Sequence, residues 1–227
     1  MNKTILIAPF DGPLASALAA EARGAGWSVA LALPAGRGAA PVPGGEMEEG
    51  PPERAGAAAG TVALAYDPES FVSAAALVAS AVNALGDIYA AVLVDAPAAT
   101  GIDLASCKPG ELGAFAAARC SGPLYLVREL ARRFESRGGG RILLLAPERP
   151  RDASPGPAAA MAQGAFEGLG RGLFAAAAGA PWSAFGLVDA SGQPDRAARR
   201  ALSLLEDPKA PKAGAWLRYT GKGGLFG

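Results

Sequence analysis

Apolar and polar positions along the chain alternate in a pattern that predicts a layered α/β protein. Short runs rich in Val, Ile and Leu, bounded by Gly, Pro or Asp, alternate with longer alanine-rich stretches of helical character. This alternation is typical of βαβ units, in which crossover helices join parallel strands. We therefore expect a Rossmann-like doubly wound parallel sheet of about seven strands with helices on both faces. The expected strands are Thr4–Ala8, Ser28–Leu33, Thr61–Tyr66, Ala90–Asp95, Arg141–Leu145, Ser183–Val188 and Ala215–Tyr219.

Five helical stretches fill most of the intervals between these strands. Pro68 and Glu69 suit the first turn of the second helix, and Gly86 and Gly138 stand where helix-terminating glycines belong. The expected helices are Leu14–Arg23, Pro68–Leu85, Leu112–Arg137, Ala158–Ala178 and Asp195–Leu205.

Residues 34–60 interrupt this rhythm. The segment holds five prolines, many glycines and an acidic cluster of Glu46, Glu48 and Glu49, so no stable helix is expected there. We expect a long surface loop within one domain that covers residues 1–227.

Composition removes several kinds of chemistry. The chain has no histidine, which excludes Ser-His-Asp catalysis, imidazole-ligated zinc and an imidazole base. Basic and acidic side chains balance at 21 each, so no electrostatic footprint for nucleic acid is present. The arginines that gather within residues 128–137 and 196–200 have helical spacing and are interpreted as solvated faces.

The chain is expected to be a soluble, cytoplasmic protein. Its two cysteines, Cys107 and Cys120, are too few for a disulfide framework and suggest a reducing compartment. The apolar N-terminal stretch is interrupted by Asp11 and fits a first strand better than a leader peptide. No uninterrupted apolar run reaches the roughly 18 residues of a membrane helix, so no membrane partner is expected.

Four segments resemble the short-chain dehydrogenase/reductase family. They are YDPESFVSAAALVASAVNALGDIYAAVLVDAPA from Tyr66, CSGPLYLVRELARRFESRGGGRILLL from Cys120, GAFEGLGRGL from Gly164 and AWLRYTGKGG from Ala215. Asp67 matches the aspartate that contacts adenine in family members, and Gly122 matches the glycine of the fourth helix. The resemblance implies a Rossmann fold over almost the whole chain and, in family members, an NAD or NADP cofactor.

The family's nucleotide-binding motifs are reduced in this sequence. The glycine-rich turn after the first strand reads APFDGPL at residues 8–14, where Gly12 is the single glycine and Pro13 removes an amide donor. Asp11 is read as an N-cap residue of the first helix rather than a cofactor ligand. The family's Asn-Asn-Ala-Gly motif becomes DAPA at residues 95–98. The vestigial cofactor positions implied by the resemblance are Gly12, Asp67 and Ala98.

The family's catalytic Asn, Ser, Tyr and Lys also have no counterparts at the aligned positions. Those positions are Arg119, Ala146 (or Pro147), Ala159 and Gln163. No tyrosine or lysine occurs between Arg141 and Gly179, so a Tyr-x-x-x-Lys pair cannot be recovered locally. The nearby phenol and amine candidates are Tyr89, Lys108 and Tyr125, none with the required spacing. No catalytic residue and no metal site are therefore expected.

The fifth predicted helix carries a stripe of glycines at Gly164, Gly168 and Gly172. Interior glycines destabilise a helix by roughly 0.5–1 kcal/mol each, so close approach of another element is the expected compensation. The stripe is open to two readings: an oligomer interface or packing on the chain's own sheet. Leu126 and Leu130 on the preceding helix form an apolar face of core or interface material.

Taken together, these features favour a catalytically inactive structural or regulatory subunit of a dehydrogenase assembly, with no cofactor of its own. The partner would be a second copy or an active paralogue, and acyl-CoA or acyl-carrier substrates are the candidates for the assembly. One alternative is an NAD- or NADP-dependent oxidoreductase with a non-standard active site, in which Arg37 is a candidate for contacting a 2′-phosphate. The other alternative is a small-ligand sensor that uses the crevice at the strand ends.

Overall fold

The alternating apolar runs build one parallel sheet. The computed structural model describes residues 3–34, 60–95, 102, 105–148, 156–207 and 214–221. Seven strands pair in the order β3-β2-β1-β4-β5-β6-β7, every pairing parallel. The strands are β1 Thr4–Ala8, β2 Ser28–Pro34, β3 Thr61–Tyr66, β4 Ile88–Val94, β5 Arg141–Pro147, β6 Ser183–Asp189 and β7 Trp216–Tyr219. The predicted fold class is confirmed.

Helices cover both faces of the sheet. They are α1 Gly12–Gly24, α2 Phe71–Leu85, α3 Pro109–Ala116, α4 Gly122–Arg137, α5 Pro157–Ala177 and α6 Pro194–Glu206, with a π-helical segment Ala117–Ser121 between α3 and α4. The helices α1 and α6 share one apolar cluster with one face of the sheet, and α2, α4 and α5 share a second cluster with the other face. This is the doubly wound arrangement.

Two of the predicted helices differ from those in the structure. The second begins at Phe71 rather than Pro68, because Ser70 takes the N-cap position and its hydroxyl accepts a hydrogen bond from the Ser73 amide. The stretch predicted as one helix over Leu112–Arg137 is divided by the π-helical segment. Gly86 and Gly138 do end α2 and α4, both with positive φ.

The predicted loop at residues 34–60 lies outside the described residues apart from its two ends. Cys107 and Cys120 are each half-buried. Among the described residues, no helix is long and apolar enough to cross a membrane, and no group of metal-ligating side chains occurs.

Candidate active-site crevice

The strand order places a crevice at the carboxyl ends of the central strands. From β1 the chain continues to β2 and β3 on one side of the sheet, and from β4 it continues to β5, β6 and β7 on the other side. The connections that follow β1 and β4 therefore run in opposite directions. Ligands of open α/β sheets bind at such a switch point. A cavity of about 460 Å³ lies there, within the range of small-molecule sites. Its polar lining residues are Asp11, Tyr66, Asp67, Glu69, Asp95 and Arg119, and its apolar lining includes Ile102, Phe115, Leu126 and Phe166.

A charged pair lies inside this crevice. Arg119 Nη1 is 3.7 Å from Asp95 Oδ1, and the two side chains are 19% and 8% exposed. The Asp95 amide donates to the Leu145 carbonyl at 2.8 Å, which fixes the end of β4 against β5. The Arg119 guanidinium also lies 6.0 Å from the centroid of the Phe115 ring, at the outer limit of a cation–π contact.

The π-helical segment supplies Arg119. At its end the Gly122 amide donates to the Ala117 carbonyl, five residues back, so the helix is locally widened. Such segments are rare and occur often at functional sites, because the extra residue redirects the side chains of one turn.

Tyr66 ties this segment to the sheet. Its ring is 4% exposed, and its hydroxyl donates to the Gly122 carbonyl at 2.7 Å. Burial, with the nearby Asp67 carboxylate and Tyr125 contributing less, raises the pKa of Tyr66 far above its usual value. The phenol therefore stays neutral and donating.

Gly122 is required at this contact. A Cβ built on it would lie 2.6 Å from the Pro68 Cβ and 3.1 Å from the Ala117 carbonyl oxygen. The start of α4 can therefore approach the β3–α2 connection only because residue 122 has no side chain. Together, Tyr66 and Gly122 fix the position from which Arg119 reaches the crevice.

The first helix presents its N-terminus to the same crevice. Asp11 occupies the N-cap position in extended backbone, as predicted, but its side chain makes no capping hydrogen bond. Gly12 has φ +83°, a conformation that side chains other than glycine rarely adopt, and nothing lies within 4 Å of where its Cβ would be. Open space at a helix N-terminus suits a phosphate group, although Pro13 lacks an amide to donate.

The remaining predicted positions divide between the crevice and other places. Arg119 and Asp67 line the crevice, whereas Ala146, Ala159 and Gln163 do not; Gln163 instead donates to Glu167 Oε1 at 2.8 Å along α5. Tyr89 packs on Trp27 near the amino end of β4, Tyr125 contacts Phe71, and Lys108 is the exposed N-cap of α3. Ala98 and Arg37 lie outside the described residues.

The sequence analysis did not identify two residues of the crevice, Tyr66, which bonds to Gly122, and Asp95, which pairs with Arg119. Tyr66 ends β3 and Asp95 follows β4. Their places were the available signal, because side chains at the carboxyl ends of parallel strands converge on one edge of the sheet. The local sequence gave no indication of the hydrogen bond between Tyr66 and Gly122, which are 56 positions apart. It gave none of the widened π-helical turn either.

The predicted interface residues also need correction. Leu126 and Leu130 are 1% and 0% exposed and pack inside the chain, so they belong to the core. The stripe of Gly164, Gly168 and Gly172 does not pack on the chain's own sheet, because a Cβ at each would meet nothing within 4 Å. The internal reading of the stripe is therefore wrong, and the interface reading stays a prediction.

No family model and no curated protein matches this sequence. Solved structures do share its fold. A short-chain dehydrogenase from Rhodopseudomonas palustris aligns with a TM-score of 0.73 at 16% identity, covering 96% of this chain and 99% of that one. A 3-ketoacyl-(acyl-carrier-protein) reductase from Brucella melitensis, complexed with NADH, gives 0.74 at 18% identity, covering 96% and 97%. A short-chain dehydrogenase/reductase from Serratia marcescens gives 0.70 at 16% identity, covering 95% and 96%.

The chain thus has the fold of the short-chain dehydrogenases. Its structural neighbours are oxidoreductases, one of them holding NADH, and they give no support to a catalytically inactive subunit. The prediction of inactivity is therefore wrong, and its oxidoreductase alternative stays a proposal. Although the family's motif residues are absent, the structure has a crevice, and it contains a charged pair of the buried Asp95 and the half-buried Arg119.

Proposed function

We propose that this chain is an NAD(H)-dependent oxidoreductase in which Arg119 stabilises the negative charge that develops on the substrate. The observation that carries the proposal is the Arg119–Asp95 pair inside the crevice of this dehydrogenase fold. The Brucella reductase of the same fold binds NADH, which supports a nicotinamide dinucleotide as the cofactor.

The crevice offers groups that suit the adenosine half of a dinucleotide. The open space at Gly12 and the N-terminal amides of α1 would accept a phosphate. Asp67 stands at the end of β3, where its Oδ1 accepts from the Glu69 amide at 2.9 Å and holds the turn. When bound, the nicotinamide would supply the hydride.

Arg119 would act on the substrate by electrostatics. A guanidinium carries a permanent charge and five donors but gives up no proton, so Arg119 cannot replace a tyrosine as general acid. It can stabilise negative charge that develops on a carbonyl oxygen during reduction. Asp95 holds the guanidinium in place, and the proton comes from solvent.

Removing Arg119 tests this role. We expect Arg119→Ala to lower kcat for NADH-dependent carbonyl reduction by about 10²–10³-fold, the usual effect of removing an oxyanion donor. Arg119→Lys should recover part of that loss because the charge is retained. Steady-state assays over a panel of aldehydes and ketones give the measurement. Arg132→Ala, an exposed arginine of α4, is the matched control and should leave kcat unchanged.

An Arg119→Ala enzyme with full kcat, together with intact NADH binding, would remove Arg119 from the mechanism and leave the dehydrogenase assignment standing. A wild-type protein that binds neither NADH nor NADPH would contradict the proposed function itself.

We also propose that the outward face of α5 associates with a second copy of the chain. Met161 on α5 and Leu124 on α4 are 47% and 54% exposed, and the bare glycine stripe lies beside Met161 on α5. Small residues permit close approach of two helices. Light scattering should find a dimer or larger assembly in the wild type and a monomer in Gly168→Leu; a monomeric wild type would contradict the proposal.

A further inference from the structure

Among the described residues, three arginines on α6 lack the carboxylate partners that the arginines of α4 have. Arg196, Arg199 and Arg200 lie on the exposed side of the helix, and within the described part of the chain no ion pair forms with any of them. Exposure alone does not explain the difference, since the α4 cluster is also exposed.

The α4 arginines provide the contrast. Arg128 and Arg132 each approach Glu129, at 2.5 and 3.6 Å, and Arg133 and Arg137 both pair with Asp87. Each of these α4 arginines thus has a carboxylate partner, as expected for an ordinary solvated helix face. The α6 arginines have none among the described residues.

The α6 arginines border a shallow, open cleft. The cleft has a volume of about 390 Å³ and lies between α6 and the end of β7, with Tyr219 and Gly221 forming its other wall. Arg196 Nη1 donates to the Gly221 carbonyl at 3.4 Å, which joins the two walls. Of the three arginines, only Arg196 lies in the first turn of α6, which also contains Asp195.

The size of the cluster indicates what it would bind. Arg200 is four positions after Arg196 in the helix, a rise of about 6 Å, which matches one phosphate or pyrophosphate rather than an extended polyanion. Planar guanidinium groups recognise phosphate oxygens in pairs. The zero net charge of the whole chain also argues against a nucleic-acid partner.

We propose that the cleft formed by Arg196, Arg199, Arg200 and Tyr219 binds the phosphate group of a small phosphorylated molecule, at a site separate from the dinucleotide crevice. Two strands, β5 and β6, lie between β4 at the crevice and β7 at the cleft, a separation of about 14 Å across the sheet. The proposal does not depend on the chain's being an oxidoreductase.

Calorimetric titration of the full chain with inorganic pyrophosphate tests this site. We expect saturable one-to-one binding, weakened about tenfold or more in Arg199→Gln/Arg200→Gln, because two charge-assisted contacts are lost. The control is Arg128→Gln/Arg132→Gln on α4, which changes the net charge equally and should keep the wild-type affinity. All four side chains are on helix surfaces, so folding should be unaffected.

Three results would overturn the proposal. They are no saturable pyrophosphate binding by the wild type, equal weakening by the α4 and α6 variants, and tighter binding of a duplex DNA than of pyrophosphate. A parallel titration with NADH separates the two sites. The α6 variant should bind NADH as the wild type does, and a matching loss of NADH affinity would show that the cleft is part of the crevice.

Discussion

A single hydroxyl connects the sheet to the candidate active site. Tyr66 ends β3, and its hydrogen bond to the Gly122 carbonyl spans the junction between the π-helical segment and α4. Arg119 lies three residues before that junction. The position of the charged group in the crevice thus depends on a buried phenol that does not itself bear charge.

Replacing this phenol should cost stability in a pH-dependent manner. Tyr66→Phe leaves the Gly122 carbonyl without its buried donor, which should lower the free energy of unfolding by about 1–3 kcal/mol near neutral pH. The folded-state pKa of Tyr66 is raised, so the stabilisation is fully present below the unfolded pKa of about 10 and declines as pH rises above it. Urea denaturation at several pH values from 7 to 11 measures both effects.

Tyr89→Phe is the matched control for this experiment, because Tyr89 lies near the amino end of β4 and packs by its ring against Trp27. It should change stability by less than about 0.5 kcal/mol. If Tyr66→Phe and Tyr89→Phe were indistinguishable at every pH, the hydrogen bond to Gly122 would not stabilise the fold.

At the scale of the helix, glycines of α5 serve different purposes on different faces. Gly168 meets open space, whereas a Cβ on Gly170 would come within 2.6 Å of the Trp216 ring. That ring is also packed by Phe174 and Phe166 from the same helix. The sequence pattern identified the row containing Gly168 but did not reveal the close contact at Gly170.

Alanine at these two glycines should have opposite effects. Gly168→Ala should stabilise the isolated chain by about 0.5–1 kcal/mol, because helix propensity improves without a clash. Gly170→Ala should destabilise it by about 1–3 kcal/mol through overpacking against Trp216. Denaturant unfolding at low protein concentration separates the two, and destabilisation by both substitutions would mean that the face of Gly168 is already packed.

Most elements of this fold could be predicted from the sequence, because buried parallel strands and alanine-rich helices have distinct periods. The limits of β1 and β3 were predicted to the residue, since Gly, Pro or Asp bound such runs. The π-helical segment could not be predicted, because its widened turn depends on tertiary contacts at Gly122. The site was harder still. The aligned positions showed which motif residues of the family are absent. They could not show the Arg119–Asp95 pair, because it forms only when two segments distant in sequence meet in the fold.

At the scale of the whole molecule, charge is balanced overall but not within the crevice. The described lining carries four carboxylates, Asp11, Asp67, Glu69 and Asp95, against the single guanidinium of Arg119. Additional negative charge on a ligand is therefore disfavoured there.

This imbalance predicts a cofactor preference. NADPH carries a further phosphate on its ribose, so we expect NADH to bind more tightly by about tenfold or more. Competition between the two in a fluorescence titration gives the ratio. Tighter binding of NADPH would contradict this prediction and direct attention to Arg37, outside the described residues, as a phosphate ligand.

Calorimetric titration of the purified wild-type chain with NADH tests most directly whether the crevice binds a dinucleotide. We expect saturable one-to-one binding that is weakened by Gly12→Val, which fills the open space at the start of α1 and is strained by the positive φ. Circular dichroism confirms that the variant is folded. Absence of NADH and NADPH binding at millimolar concentrations in a folded wild-type protein would contradict the assignment of this crevice to a dinucleotide.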